Sequence, residues 1–366
     1  MKTVMLVFGT RPEAIKMCPL ANELKGREGV KTQICVTGQH RSMLDGVLDI
    51  FKIVPDYDLS VMKAGQTLTD ITVAILTGIS KVLDEASPDI VLVHGDTSTA
   101  FAVALACFYK GIPIGHVEAG LRTYDIFSPY PEEFNRRVIS LFCKFNFTPT
   151  ELSRQNLLQE GVSNDRIFVT GNTAIDALRF TVRKDYTHPE LEWARGSRLI
   201  LITAHRRESL GEPMHHMMRA IRRVVEERPD VKAIYPIHMN PAVRKVAESE
   251  LYGCERIHII EPLGVLDFHN FMSRSYMILT DSGGIQEEAP SLGKPVLVMR
   301  NTTERPEGIA AGTLRLVGTQ EEQIYKSFTE LLDNAEIYRK MSRASNPYGD
   351  GFASRRIADI LINKIK

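Results

Sequence analysis

The chain has 366 residues, 43% of them apolar and 25% charged, with Lys plus Arg and Asp plus Glu balanced at 45 each. That length exceeds what one hydrophobic core usually organises, so two domains are expected. A net charge of zero gives no footing for nucleic acid or a membrane surface as the main partner, and positive charge has to be judged loop by loop.

The first apolar run, 4–8, leads straight into a motif and carries no cleavage signal, so it reads as a strand and not as a signal peptide. Buried strands are also expected over 31–37, 90–94, 114–117 and 145–149, with amphipathic helices over 14–24, 40–51, 67–85 and 98–110 between them. Such alternation implies βαβ units and a parallel sheet. A charged stretch at 183–197 then interrupts the pattern, and it restarts with strands over 199–203, 232–237, 257–260, 277–280 and 296–299. The join falls near 170–198, and a last helical segment spans 352–366. We therefore expect an α/β protein of two Rossmann-like domains facing across a cleft, with ligands at the loops that follow the strands. No apolar run approaches the ~20 residues of a membrane span. The five cysteines are scattered and lack a Cys-x-x-Cys pair, which argues against disulfides or a zinc site and for buried thiols in a reducing cytoplasm.

The loops that follow the strands carry the candidate chemistry. Gly9-Thr10-Arg11-Pro12-Glu13-Ala14-Ile15-Lys16 follows the first strand and lacks the Gly-x-Gly-x-x-Gly of a dinucleotide site. Arg11 and Lys16 flank a helix start there, either as an anion site or as solvated cations beside a cap. In His94-Gly95-Asp96-Thr97-Ser98-Thr99 a cap explains Thr97 or Ser98 but leaves Asp96 over. The third loop, His116-Val117-Glu118-Ala119-Gly120-Leu121-Arg122, is followed by Pro131-Glu132-Glu133, whose acids would also suit a helix dipole. Asp96, Glu118 and Glu132 arise at one sheet edge, and clustered carboxylates suit general acid–base work. In the second half, His205, Arg206 and Arg207 form either an anion clamp or a surface basic loop, and His238 taken singly is more often structural. Asp281-Ser282-Gly283-Gly284-Ile285-Gln286-Glu287-Glu288 ends a strand and opens a helix, offering backbone N–H groups to a diphosphate and Glu288 to a ribose. Another basic loop follows at 299–307, and no Walker A sequence is present.

Taken together these runs, with Thr303-Glu304-Arg305-Pro306 and Asn346-Pro347-Tyr348-Gly349-Asp350-Gly351, resemble the signatures of the bacterial non-hydrolysing UDP-N-acetylglucosamine (UDP-GlcNAc) 2-epimerases, in order from residue 8 onward. The resemblance implies a glycosyltransferase-B-type fold, a homodimer, and no cofactor or metal. Its domains would be 1–172, joined by the helix 353–366, and a UDP-binding domain over 173–352. It implies Asp96, Glu118, Glu132 and His205 as catalytic residues. Arg11, Lys16, Phe268, Ser282, Gly283, Gly284, Glu288 and Arg305 would bind substrate. UDP-GlcNAc would be the substrate and, in members with a second site, an allosteric activator, matched by Gln39, Gln66, Arg206 and His238, with Glu132 also at that site. Ser42, Gly65 and Leu263 depart from residues found there or near the uridine in some members.

The C2 proton of UDP-GlcNAc has no adjacent carbonyl to acidify it, and an oxidative route needs a nicotinamide site that is missing. Loss of UDP to 2-acetamidoglucal and re-addition is the remaining path, and it needs a stabilised leaving group with carboxylates near C2. Rival expectations are a UDP-sugar glycosyltransferase of the same fold, a hydrolysing epimerase releasing N-acetylmannosamine, and a non-catalytic UDP-sugar sensor.

Overall fold

The computed structural model describes residues 1–38, 41–63 and 65–365, with the backbone alone for 41–43. The chain divides into two compact units, one of Met1–Phe180 with Tyr348–Lys366 and one of Thr181–Pro347.

In the first unit, seven parallel strands lie in the order β3-β2-β1-β4-β5-β6-β7. They are β1 (Lys2–Phe8), β2 (Val30–Val36), β3 (Tyr57–Asp58), β4 (Ile90–His94), β5 (Ile114–Val117), β6 (Phe145–Thr148) and β7 (Ile167–Val169). Helices cover both faces, so the central strands read as unbroken apolar runs, and every residue of β4 is buried. Met5, Val7, Val91 and Val93 pack with Ile79 and Val103 in one core. The second unit repeats the plan with β8 (Arg198–Thr203), β9 (Val231–Pro236), β10 (Ile257–Ile260), β11 (Met277–Thr280), β12 (Val296–Val298) and β13 (Leu314–Leu316), ordered β10-β9-β8-β11-β12-β13. Its core joins Ile200, Ile202 and Leu279 to Met217, Ile221 and Val224 of the helix Glu212–Glu227.

The expected pair of Rossmann-like domains is thus present, with β3, β7 and β13 as additions. Contacts part the chain after Phe180 and after Pro347, where joins at 172 and 352 are expected from the sequence. The helix Thr173–Thr181 stays with the first unit as far as Phe180, held there by the Asp176 carboxylate, which accepts the amides of Ala353 (3.1 Å) and Ser354 (2.7 Å). Those two amides open the last helix, Ala353–Lys364, which packs on the helix Arg11–Lys25. Among the described residues, no helix is long and apolar enough to cross a membrane. The five cysteines are buried thiols without disulfides.

Strand order reverses between β1 and β4 in the first sheet and between β8 and β11 in the second. At such switch points the connections leave in opposite directions and open a crevice beyond the strand ends. The loops after β1 and β4, and after β8 and β11, hold four of the sequence motifs; the Glu118 loop follows the neighbouring β5, and the basic loop 299–307 follows the neighbouring β12.

Candidate active site

The loop after β1 is built around a buried carboxylate. Thr10 caps the helix Arg11–Lys25 through the Glu13 amide, with Pro12 in the first turn. Glu13 accepts the amides of Gly9 (2.9 Å) and Thr10 (2.8 Å) and the hydroxyl of Thr97 (2.6 Å), which ties this loop to the one after β4. A side chain at Gly9 is excluded, because its Cβ would fall 1.9 Å from Thr37 Oγ1. Arg11 begins its helix at the switch point, and Lys16 lies on the next turn.

Lys16 reaches the Glu118 carboxylate, forming an ion pair on Oε2. Asn172, in the loop after β7, donates from Nδ2 to the same oxygen at 2.8 Å. His94 Nε2 lies 3.8 Å from it. Glu118 holds this place with φ 63°, a left-handed backbone that is costly for a side chain bearing Cβ and that gathers at functional sites. Burial pulls the His94 imidazole down to about 4, the Glu118 charge opposing this and Lys16 adding to it, so the ring is neutral.

Asp96 is fixed from two sides. His116 is neutral, with burial pulling it to about 3; its Nε2–H donates to the Gly95 carbonyl (2.7 Å) and its Nδ1 accepts the Ser140 hydroxyl (3.2 Å). Asn135 Nδ2 donates to the Asp96 carbonyl at 2.8 Å. Arg136 Nη2 sits 3.0 Å from the Asp96 carboxylate. Burial pushes that carboxyl up to about 6; Arg136 opposes this, the charges of Glu118 and Glu132 add to it, and Lys16 opposes it. The two adjacent acids at the start of the helix Glu132–Phe142 divide their tasks. Glu133 is enclosed and accepts the amides of Thr123 (3.1 Å) and Tyr124 (3.2 Å), while Glu132 remains within electrostatic reach of Asp96. Asp96, Glu118 and Glu132 are thus one cluster with a lysine inside it. Gln66 stands apart, its amide engaged by Lys63 N and Val61 O in its own loop, and Gln39 lies outside the described residues.

In the second unit Asp281 organises the loop after β8. Its carboxylate is enclosed and accepts the amides of His205 (2.8 Å) and Arg206 (2.9 Å) on Oδ2. Its Oδ1, without a hydrogen-bond partner among the described residues, points toward His205 Nδ1 at 3.8 Å. The His205 ring stacks on His238 (centroids 5.1 Å, 9° between planes), and His238 Nδ1 accepts the Asn240 amide. Burial lowers the His205 pKa, Asp281 opposes this, and His238 and Arg206 add to it.

Two guanidinium groups converge at the turn after β11. A Cβ at Gly283 would lie 3.5 Å from Arg206 Nη2 and 3.7 Å from Arg305 Nη2. Ser282 N is held by Thr280 Oγ1 (2.9 Å), and Gly284 precedes the helix Ile285–Ser291. Arg305 is oriented by buried Glu287 (2.5 Å). Arg206 faces Glu304, whose carboxyl falls to about 2 because hydrogen bonds and charge from Arg300 outweigh the effect of burial. Forked cations beside the glycine amides of this turn suit a diphosphate. Next to them, Glu288 is approached at 3.5 Å by His269 Nε2, whose Nδ1 meets the Thr181 hydroxyl at 2.7 Å. Phe268 precedes that histidine on the helix Val265–Arg274, partly exposed.

Sequence motifs marked each of these loops except the one after β7 that carries Asn172, and they did not point to Arg136, His269 or the task of Asp281. Asn172 follows a strand of three residues, and its signal was the strand–Gly-Asn–helix pattern shared with the other loops.

A family model described as UDP-N-acetylglucosamine 2-epimerase matches residues 22–362. The Bacillus subtilis UDP-N-acetylglucosamine 2-epimerase is 57% identical over 359 residues, covering 98% of this chain and 94% of its own length. The crystal structure of the Neisseria meningitidis UDP-GlcNAc 2-epimerase bound to UDP-GlcNAc superposes with a TM-score of 0.89 at 48% identity, over 99% of this chain and 100% of that one. S. aureus MnaA, solved with UDP, gives 0.90 at 51% identity, over 99% and 96%. A glycosyltransferase from Rickettsia africae, 16% identical with a TM-score of 0.65, shares the fold alone. With the matched model spanning most of the chain and relatives alike over nearly their whole length, this protein belongs to the UDP-N-acetylglucosamine 2-epimerase family.

Proposed function

We propose that this enzyme interconverts UDP-GlcNAc and its C2 epimer UDP-ManNAc by anti elimination and re-addition of UDP. The observation that carries the reading is the cluster of Asp96, Glu118 and Glu132 around Lys16, which gripping a polyanion does not require. In the forward direction one carboxylate takes the C2 proton and the C2–H electron pair becomes the C1=C2 bond of 2-acetamidoglucal. The C1–O bond breaks, and UDP leaves with the bonding pair. Charge then grows on the diphosphate, where Arg305 and the amides at Gly283 and Gly284 stabilise it. A second carboxylate returns a proton to C2 on the opposite face, and UDP adds back to C1. In this scheme Arg11 and His205 serve the diphosphate and sugar, Ser282 and Phe268 the nucleotide, and Glu288 the ribose.

The product would feed cell-envelope polysaccharide synthesis, with the enzyme in the cytoplasm, where five buried thiols persist reduced. It would act as a homodimer; exposed Val73, Phe108, Phe134 and Leu141 on helices of the first unit offer apolar surface for association. UDP-GlcNAc would also activate through Gln39, Gln66, Arg206 and His238, giving a sigmoidal rate curve. A hyperbolic curve removes that part.

Incubation with UDP-GlcNAc as sole substrate in D₂O, followed by NMR, tests the chemistry. The expected product is UDP-ManNAc carrying deuterium at C2, formed without added NAD or metal. Unlabelled product excludes elimination, free N-acetylmannosamine indicates hydrolysis, and no turnover without an acceptor indicates glycosyl transfer.

A further inference from the structure

We propose that Asn172 is a positioning residue for Glu118 and that the returning segment Tyr348–Gly351 locks it in place. The proposal rests on the reading of Glu118 as a catalytic carboxylate.

Asn172 is 3% exposed, and each of its polar groups has a distinct task. Oδ1 accepts the Ala174 amide at 2.9 Å, in the manner of a helix N-cap. That contact identifies which end of the amide is oxygen, so Nδ2 is the atom facing Glu118 Oε2. The main-chain N–H donates to the Tyr348 carbonyl at 2.7 Å. Backbone meets backbone here: a Cβ at Gly171 would lie 3.3 Å from both Tyr348 O and Gly349 Cα, and one at Gly349 would lie 3.3 Å from Gly171 Cα. Arg179 donates to the Gly351 carbonyl (3.1 Å), and Asp176 takes the two amides that follow. Tyr348 itself is enclosed, at 1% exposure. The asparagine therefore has no freedom to follow Glu118; Glu118 must come to it.

Glu118 needs such a fixed donor. Its backbone lies in the left-handed region, where surrounding contacts must hold it, and its carboxylate has rotatable bonds of its own. Lys16 supplies charge from a long, flexible stem, whereas Asn172 supplies direction from a short, locked one. Together they hold Oε2 and fix the plane of the carboxylate.

The test is a mutant cycle of Asn172→Ala, Glu118→Gln and the double variant, with Asn172→Asp as a second probe. Each is assayed for kcat, KM, UDP affinity and melting temperature. Misplacing a reacting group by about 1 Å costs on the order of 100-fold, so Asn172→Ala should lower kcat about 10- to 100-fold, with KM and UDP affinity within about twofold. The double variant should be no slower than Glu118→Gln alone, since Asn172 acts through Glu118. Asn172→Asp keeps the cap for Ala174 but replaces the donor with a like charge, so it should fold normally and turn over more slowly than Asn172→Ala. Additive losses in the double variant, or wild-type kcat in Asn172→Asp, overturn the proposal. A wild-type rate in Glu118→Gln overturns the underlying role of Glu118 instead.

Discussion

Arg136 is the cation that most restrains the Asp96 carboxyl, and its removal has a predictable direction. Burial lifts Asp96 to about 6 even with Arg136 Nη2 at 3.0 Å, and the charges of Glu118 and Glu132 add to the rise. A neighbouring guanidinium lowers a carboxyl by roughly one to three pH units. The Asp96 side chain keeps 28% of its surface accessible, so screening favours the lower end of that range. In Arg136→Leu, Asp96 should therefore titrate at least about one pH unit higher, near 7 or above. If Asp96 must be ionised to accept a proton, the acid limb of kcat/KM moves from near 6 to near 7, and the rate at alkaline pH is largely retained. Arg136→Lys, which keeps the charge, should leave the limb in place. The assay is kcat/KM for UDP-GlcNAc from pH 5 to 9 by NMR. An unmoved limb in Arg136→Leu, or one displaced to lower pH, refutes the assignment of that limb to Asp96.

Asp96→Asn, Glu118→Gln and Glu132→Gln should each lower turnover by about 100-fold or more while UDP affinity, measured calorimetrically, holds; near-normal rates would remove the residue from the chemistry. Arg305→Lys replaces a planar fork with a point charge and should weaken UDP binding about tenfold, and unchanged affinity would show that Arg305 does not grip the diphosphate. Gly171→Ala combines a left-handed φ of 88° with a 3.3 Å approach to Tyr348 O, so a loss of about 1–3 kcal/mol in chemical denaturation is expected, and a neutral result would show that the return segment gives way. His94 is held at about 4 when folded, below its ordinary value, so its contribution to stability is complete above pH 6.5 and is lost as pH falls toward 4, on the order of 3 kcal/mol. Asp96, held above its ordinary value, works the other way and offsets part of that loss. Denaturation midpoints at pH 7 and 4.5 should therefore converge in His94→Asn relative to wild type, and an equal drop in both proteins would exclude the effect.

How far the site was legible in the sequence follows from the fold's own regularities. Long central strands such as β1 and β4 announce themselves as apolar runs, and in a doubly wound sheet the residues just beyond them meet at the switch point. That is why Arg11, Lys16, Asp96, Glu118, His205 and Ser282 could be placed on one type of edge. Strands of two or three residues, such as β3, β7 and β13, are too short to show a period, so the Asn172 loop after β7 passed unnoticed. Nor does spacing tell Glu132 from Glu133; only the enclosure of Glu133 against Thr123 and Tyr124 separates them. Supporting groups such as Arg136 and His269 contact partners on other elements, and no local pattern encodes those pairs.

The carbonyl that receives the Asn172 amide belongs to Tyr348, and the whole of 181–347 is translated between the two. A nascent chain must therefore carry its first sheet, strands complete, through the synthesis of an entire second domain before the Glu118 loop acquires its backstop. Catalytic competence would then appear late on the ribosome, and fragments ending before residue 348 would bind nucleotide through the second unit without turning it over.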